Sequence, residues 1–426
     1  MALSFSLVVG AGAAIYAFLF ALLRLTQDVK EPVSIGEGNP FVSPLLNMAT
    51  KGVGFHRFMR DKYNLPIYTL RMPGSRIYVI NAPQLLTSVQ NQVGKLSFTA
   101  IEASIAANVI GVSKTTNDVI GHDVTADGSY LTSFPKYVHS ALSAGPGLDA
   151  MNRRSIQYIT QSLDTWQKRG DTTVQLFEWV RHELLMESTE GVYGPKNPFR
   201  DPAMERPGIW ERYFEAHAYK QGSELIQARV KINDHFGIPL KETARIEIGG
   251  SQAILSNTLP ATFWVIYRIF SDPKVLEDIR LELSAGVIED QSGSFIIDLS
   301  HVKSSCPIFL STLKETMRIH STSSATRIAM EDHLLDNKYL LKKGSTIMMP
   351  SHVQHTNPSV WGETVDVFNH KEFLREPGVR RINPVAFRGF GGGTTLCPGR
   401  HFASTEILMF TALLVLRFEL RPLSGQ

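Results

Sequence analysis

Cys397 sits in the stretch of this chain best equipped for chemistry, FRGFGGGTTLCPGRHFASTEILMF. Gly391, Gly392 and Gly393 precede it. Without a Cβ they permit positive φ and let the backbone approach a flat ligand closely. Pro398 suits the first position of a helix, so Cys397 is predicted to stand at a helix start with free N–H groups pointing back at the sulfur. Such a site favours the thiolate through the helix dipole and hydrogen bonds. Gly399 adds a second position without a side chain. The competing reading is a glycine turn around a structural cysteine. Cys306 has no motif around it and is assigned to the core.

Three further constellations carry polar groups that could serve a reaction. Glu315 and Arg318 in LKETMRIH lie one helical turn apart, so carboxylate and guanidinium face the same way. Taken alone, such a pair is an ordinary solvated surface contact. GGSQAILSNTLPATFWVIYRIF belongs to an apolar-rich stretch from Leu240 to Phe270, about 46 Å long as a helix and therefore a rod through the interior. Pro260 within it cannot donate to the Ser256 carbonyl, so the helix is predicted to open or kink beside Ser256 and Asn257. An asparagine that merely caps the break is the alternative. His352 and His355 have metal-like spacing but lie between Pro350 and Pro358, and are read as a histidine loop instead of a metal site.

Elements that must position these groups follow from pattern. IYTLRMPGSRIYVI, Ile67 to Ile80, alternates around Pro73-Gly74 and reads as a hairpin. Residues 148–190 hold two helical patterns, of which LFEWVRHELL is the clearer, and another helix contains Leu310 to His320. TRIAMEDHLLDNKYLLKKGSTIMM reads as strand pairs punctuated by Asp336-Asn337 and Lys343-Gly344. A last helix runs from Pro398 to about Leu416, followed by a strand-like FELRPL. The fold class is mainly α with small sheets (α+β).

Ala2 to Leu23 carries no charge and as a helix spans about 33 Å, enough for a bilayer's hydrocarbon core. A cleaved signal peptide and a buried helix are the alternatives, though no basic residue precedes the run, as a signal would require. Arg24 and Lys30 follow it, which favours a body on the cytosolic side. Asn357-Pro358-Ser359 is blocked as a glycosylation site by its proline. The organisation expected is an anchor over 1–25, a proline-containing connector over 26–47 and a catalytic body over 48–426. Lys+Arg at 43 against Asp+Glu at 40 leaves a net charge of +3, without the basic stripe that nucleic acid requires. Hydrophobic content of 43% with 19% charged residues excludes disorder, and 2 cysteines exclude a disulfide scaffold.

Phe390, Gly393, Cys397 and Gly399 match F-x-x-G-x-x-x-C-x-G. The chain thereby resembles the cytochrome P450 family, and CPGRHFA resembles its sterol 7α-hydroxylase and prostacyclin synthase branch with fungal relatives. The resemblance covers nearly the whole chain. It implies haem b with Cys397 as the proximal thiolate ligand of iron, Arg327 in SSATRIAM reaching a haem propionate, and a long kinked helix over the haem. Thr395 departs from the many members that carry a basic residue contacting a propionate. The resemblance makes Glu315 and Arg318 the E-x-x-R pair that buttresses the haem loop. Glu372, in FNHKEFL, stands where the third member is normally arginine, so the network is completed by Lys371 or Arg375 or is incomplete. Ser256 and Asn257 stand where most members have an acid–threonine pair relaying protons, and Thr258 would point elsewhere.

The implied enzyme is a monomeric monooxygenase of the endoplasmic reticulum membrane, single-pass and facing the cytosol. Its substrate would be a lipophilic terpenoid, steroid or polyketide of secondary metabolism. NADPH–cytochrome P450 reductase would be its partner, because the chain has no dinucleotide-binding fingerprint. Two alternatives stand: a haem-thiolate isomerase or dehydratase that needs no reductase, and a truncated inactive member. The chain is short for the family around 195–235. Where two helices would roof the substrate cavity there is room for one, about Trp210 to Lys231, and a lost exon is the reading adopted.

Overall fold

The computed structural model describes residues 2–35, 38–39, 41–201, 208–291, 293–375 and 382–423. Part of the connector, at 36, 37 and 40, and most of RDPAMERPGIW, at 202–207, lie outside the described residues. The chain forms two compact units. One comprises Met1–Ile101, Ser321–Val367 and Arg380–Leu396; the other comprises Glu102–His320, Phe368–Val379 and Cys397–Gln426.

The first unit carries the main sheet. Helix α1, Ala2–Thr26, is long and apolar enough to cross a membrane, and none of its Val9–Thr26 window, of mean hydropathy 1.7, is buried. The buried-helix alternative for this segment therefore falls. Helix α2 is Pro83–Gln90. Strands β1 (Ile67–Met72) and β2 (Ser75–Ile80) form the predicted hairpin, pairing Ile67 with Ile80 and Met72 with Ser75, with Gly74 at φ +70° in the turn. The other strands are β3 (Leu96–Ser97), β4 (Ser324–Ala329), β5 (His333–Leu335), β6 (Tyr339–Leu341) and β7 (Thr346–Pro350). The sheet order is β1-β2-β7-β4-β3, and β5 and β6 make a separate hairpin. Asp336 and Asn337 both take positive φ, 51° and 56°, the conformation a two-residue turn needs to match strand twist. Sheet residues Tyr78, Ile80 and Ile347 pack with Leu86 and Val89 of α2 in a common core.

The second unit is a helix bundle with one short hairpin, Val287–Glu289 against Phe295–Ile297. Its long helices are α3 (Pro146–Arg169), α4 (Leu176–Tyr193), α5 (Leu240–Phe270), α6 (Pro273–Ser284), α7 (Pro307–His320) and α8 (Arg400–Arg417). Val265 and Ile269 of α5 pack with Phe309 of α7 and Leu408 and Met409 of α8, and Cys306 lies fully buried in the same core. Helix α5 has the predicted ends.

Three expectations are corrected. Helix α5 is one continuous helix through Pro260, so of the two expected outcomes the opening does not occur. The single helix expected at Trp210–Lys231 is instead two, Ile209–Glu215 and Glu224–His235. His217 turns left-handed at φ +50° and Gly222 packs against Ile226, while Tyr213 donates to the Tyr193 carbonyl and fixes the first helix separately. Phe418–Leu423 forms no strand, because no strand pairs with it among the described residues.

Glu187 of α4 and Glu406 of α8 are both almost fully buried, 0% and 1% exposed. Among the described residues no salt bridge reaches either carboxylate. Burial raises Glu187, with Glu406 and Glu183 adding repulsion, and burial pushes Glu406 up to about 8. The native state holds a proton that the unfolded chain gives up near its ordinary carboxylate pKa. Stability is therefore full below about pH 4.5 and falls as pH rises toward about 8. Glu406→Gln is expected to flatten that slope in urea unfolding and to stabilise the protein at pH 8 by roughly 2–4 kcal/mol. An unchanged slope would count against the buried proton.

Candidate active site: the cysteine loop and its supports

The cysteine loop is built from glycines that its own neighbours require. Gly391 and Gly393 take positive φ, 76° and 61°, as the sequence predicts. Each also packs closely against protein neighbours. A Cβ on Gly393 would lie 2.8 Å from Gln90 at the end of α2, and one on Gly392 would overlap the Arg388 guanidinium. The Gly391 N–H closes a turn onto the Arg388 carbonyl at 3.0 Å. Phe390 is half-buried beside that turn. His355 lies on a short helix, Ser351–His355, and not in a loop; it is fully buried, its Nε2 accepts the Arg388 N–H at 2.8 Å, and its ring stacks on Phe387. No group of three or more metal-type side chains occurs among the described residues, so His352 and His355 form no metal centre of that kind.

Also in the first unit, Arg327 on β4 is 3% exposed and stands over the Phe98 ring at 5.2 Å. Its Nη1 donates to the Thr326 carbonyl at 2.7 Å and its Nη2 to the Thr395 hydroxyl. Thr395 in turn donates to the Gly392 carbonyl at 3.3 Å. Thr395, the departure from the motif, is thus a tether for the guanidinium.

In the second unit Cys397 is partly buried and leads into α8, which starts at Arg400 with Gly399 as its N-cap. The helix begins two residues later than Pro398 implied. The backbone amides of Gly399 and Arg400 and the Arg400 guanidinium favour the charged sulfur, while the Arg400 N–H closes onto the Cys397 carbonyl at 3.4 Å. Burial nevertheless outweighs them and pushes the thiol up, so the expected intrinsic thiolate preference is overturned for the protein alone. A cation bonded to sulfur reverses that balance, because a coordinating thiol is deprotonated outright. A Cβ on Gly399 would stand 3.9 Å from the sulfur, so the glycine leaves that flank open. One soft sulfur, backbone donors around it and an open flank fit the axial ligation of a haem iron.

Glu315 and Arg318 of α7 are 0% and 2% exposed, which removes the surface-contact reading. Arg318 Nε and Nη2 each donate to one carboxylate oxygen at 2.7 Å, a bidentate fork. A third donor comes from the Asn369 backbone N–H, 3.0 Å from Glu315 Oε1. Lys371 does not complete the network: its Nζ sits 2.6 Å from Asp278 of α6, which His370 Nε2 also reaches at 2.9 Å. Lys371, then His370, hold the Asp278 carboxyl well below the usual range. Arg375 is exposed and no described bond links it to Glu315. Phe373 N–H donates to Ser311 Oγ at 2.9 Å, so this segment is tied to α7 twice and to α6 twice. Glu372 is half-buried; burial, then the Glu315 charge, raises its pKa, and Asn369 Nδ2 donates to it at 3.2 Å.

Ser256 and Asn257 are both exposed on α5, with Asn257 Nδ2 3.3 Å from Ser256 Oγ. Thr258 is buried and returns its hydroxyl to the Ile254 carbonyl at 2.9 Å, so it points elsewhere, as expected. Sequence reasoning missed Gln90, Asn369 and Asp278. Each acts on a partner tens to hundreds of residues away, and no local spacing announces such a contact.

Comparison with known proteins is consistent throughout. The family model described as cytochrome P450 matches residues 253–426. The cytochrome P450 monooxygenase nodJ of Hypoxylon pulicicidum is 34% identical over 95% of this chain and 86% of its own length. A cytochrome P450 monooxygenase of Gibberella zeae is 27% identical over 97% and 87%. The cholesterol 7-alpha-monooxygenase of Cricetulus griseus is 30% identical over 47% and 43%. The first of these alignments runs to 448 positions against a chain of 426 residues, so that relative carries residues this one lacks. The chain belongs to the cytochrome P450 family and is an oxidoreductase whose cofactor is haem.

Proposed function

We propose that this protein is a membrane-anchored monooxygenase that hydroxylates a lipophilic small molecule. One atom of O2 enters a C–H bond and the other leaves as water, with two electrons and a proton from NADPH plus one further proton. Electrons arrive through NADPH–cytochrome P450 reductase. The observation that carries the reading is Cys397, a free and partly buried cysteine at the head of α8 within the family's loop. Haem, when bound, supplies activation of O2. Cys397 would hold its iron, with Phe390, Gly393 and Gly399 forming the surrounding loop. Arg327, steadied by Thr395, would supply positive charge to a propionate. Glu315 and Arg318 act at a distance by fixing the segment around Asn369. Asn257 and Ser256, exposed and within reach of each other, would position water or peroxide-level oxygen.

The substrate class, a terpenoid, steroid or polyketide of secondary metabolism, rests on the resemblance to fungal monooxygenases and to a cholesterol 7-alpha-monooxygenase. The endoplasmic reticulum and a cytosolic body rest on the exposed apolar α1, with Arg24 and Lys30 after it and no basic residue before it. Rearrangement without reductase is the second reading, favoured by the missing acid–threonine pair at Ser256 and Asn257.

Turnover of fungal lipid extracts under 18O2 with reductase and NADPH should yield product carrying one 18O; unlabelled product formed without NADPH would replace hydroxylation by rearrangement. The reduced, carbon monoxide-treated protein should show the red-shifted Soret band of thiolate ligation, lost in Cys397→Ser. Asn257→Ala is expected to cut product formed per NADPH about tenfold while leaving that band in place. Glu372→Arg, which sets a guanidinium beside Glu315, should slow haem transfer to apomyoglobin about threefold. Faster transfer would mean that Glu372 itself supports the loop.

A further inference from the structure

Arg71 and Arg76 are directly paired across the β1–β2 hairpin, and both reach the carboxyl end of α1. Arg71 Nη2 donates to Thr26 Oγ1 at 2.7 Å, and Arg76 Nη2 to the Thr26 carbonyl at 2.9 Å. Arg71 is 7% exposed, yet its Nε has no acceptor and its side chain bonds only uncharged oxygens. The nearby carboxylate, Glu31, is already occupied. It accepts the Tyr78 hydroxyl at 2.7 Å and the Asp28 N–H at 3.0 Å, and pairs with Arg76 Nε at 3.3 Å. Two guanidiniums therefore share one carboxylate, and burial followed by the Arg76 charge presses the Arg71 pKa down.

These arginines line a cavity of about 420 Å³ with Leu22, Thr26, Phe41 and Lys343. One wall is apolar and the other cationic. Adjacent like charges, one of them buried, are unfavourable until an anion joins them. Position specifies which anion. The apolar run of α1 gives way to Arg24 and Thr26 beside this cavity, so in a membrane it lies in the headgroup layer, where phosphates meet acyl chains.

We propose that the cavity binds the phosphate of an anionic glycerophospholipid, with Arg71 and Arg76 as its ligands, Lys343 at its edge, and Leu22 and Phe41 against the lipid's apolar part. Guanidinium forks suit phosphate oxygens, and a glycerophospholipid presents both faces the cavity needs. The proposal rests on the membrane-anchored reading of α1.

The test uses the full chain reconstituted in phosphatidylcholine vesicles, with electron paramagnetic resonance of spin-labelled phosphatidic acid and phosphatidylcholine reporting lipid at the protein surface. Phosphatidic acid should be preferred about fivefold or more, and R71Q/R76Q should bring the ratio close to one. Arg76→Gln alone, at a half-exposed side chain, should at least halve the preference and covers the case in which Arg71 cannot be replaced. R71K/R76K should keep part of it, and K168Q/R169Q, removing two exposed charges elsewhere, all of it. No preference in the native chain, an unchanged ratio in R71Q/R76Q, or an equal loss in K168Q/R169Q would overturn the site. Abolition of the preference by millimolar glycerol phosphate would reassign it to soluble phosphates and overturn the lipid. Flotation of the same samples in high salt separates the two readings: a chain that stays behind the vesicles loses both anchor and site, and one that floats without preference loses only the site.

Discussion

The carboxylate of Glu315 can be buried only because three donors meet it there. Arg318 takes both oxygens with its fork, and the Asn369 N–H takes a further lone pair. A charge of this kind left unpaired in the interior costs several kcal/mol, whereas a fully hydrogen-bonded one is tolerated. The constraint runs both ways: α7 can keep its ion pair inside the core only if the chain after Val367 returns to it. Asp278 and Ser311 hold the same segment from α6 and α7. Loss of the arginine at position 372 is therefore compatible with an anchored segment, because backbone and neighbouring side chains supply the fixation.

Cys397 illustrates competition between burial and local donors. Two backbone N–H groups and Arg400 favour a charged sulfur, and desolvation disfavours it more strongly. A cysteine in this balance is a poor free nucleophile and a good ligand, since bonding to a cation removes the penalty that raised its pKa. The glycines before it also answer to packing within the first unit. Gly392 and Gly393 are small because Arg388 and Gln90 press against the loop from behind, so the loop's shape is fixed by the first unit's own packing.

Much of the fold was legible in the chain. Alternation around Pro73-Gly74, the turn pairs at Asp336-Asn337 and Lys343-Gly344, and the long apolar periodicity from Leu240 to Phe270 each settle a local choice, and the structure agrees with all of them. Where local signals were weak the reading failed. One helix over Trp210–Lys231 became two through a left-handed residue and aromatic docking, and a β-like tail at Phe418 found no strand to pair with.

Residue types and spacing by themselves determined the sulfur, the glycines around it, the E-x-x-R pair and the anchor-like first helix, because each depends on neighbours within a turn or two of chain. Tertiary structure alone decided that Glu315–Arg318 is buried instead of solvated, that Lys371 serves Asp278, that Thr395 holds Arg327, and that the cysteine's pKa rises. Those outcomes depend on desolvation and on partners brought together from distant positions. Both are properties of the packed chain, and no stretch of sequence contains them.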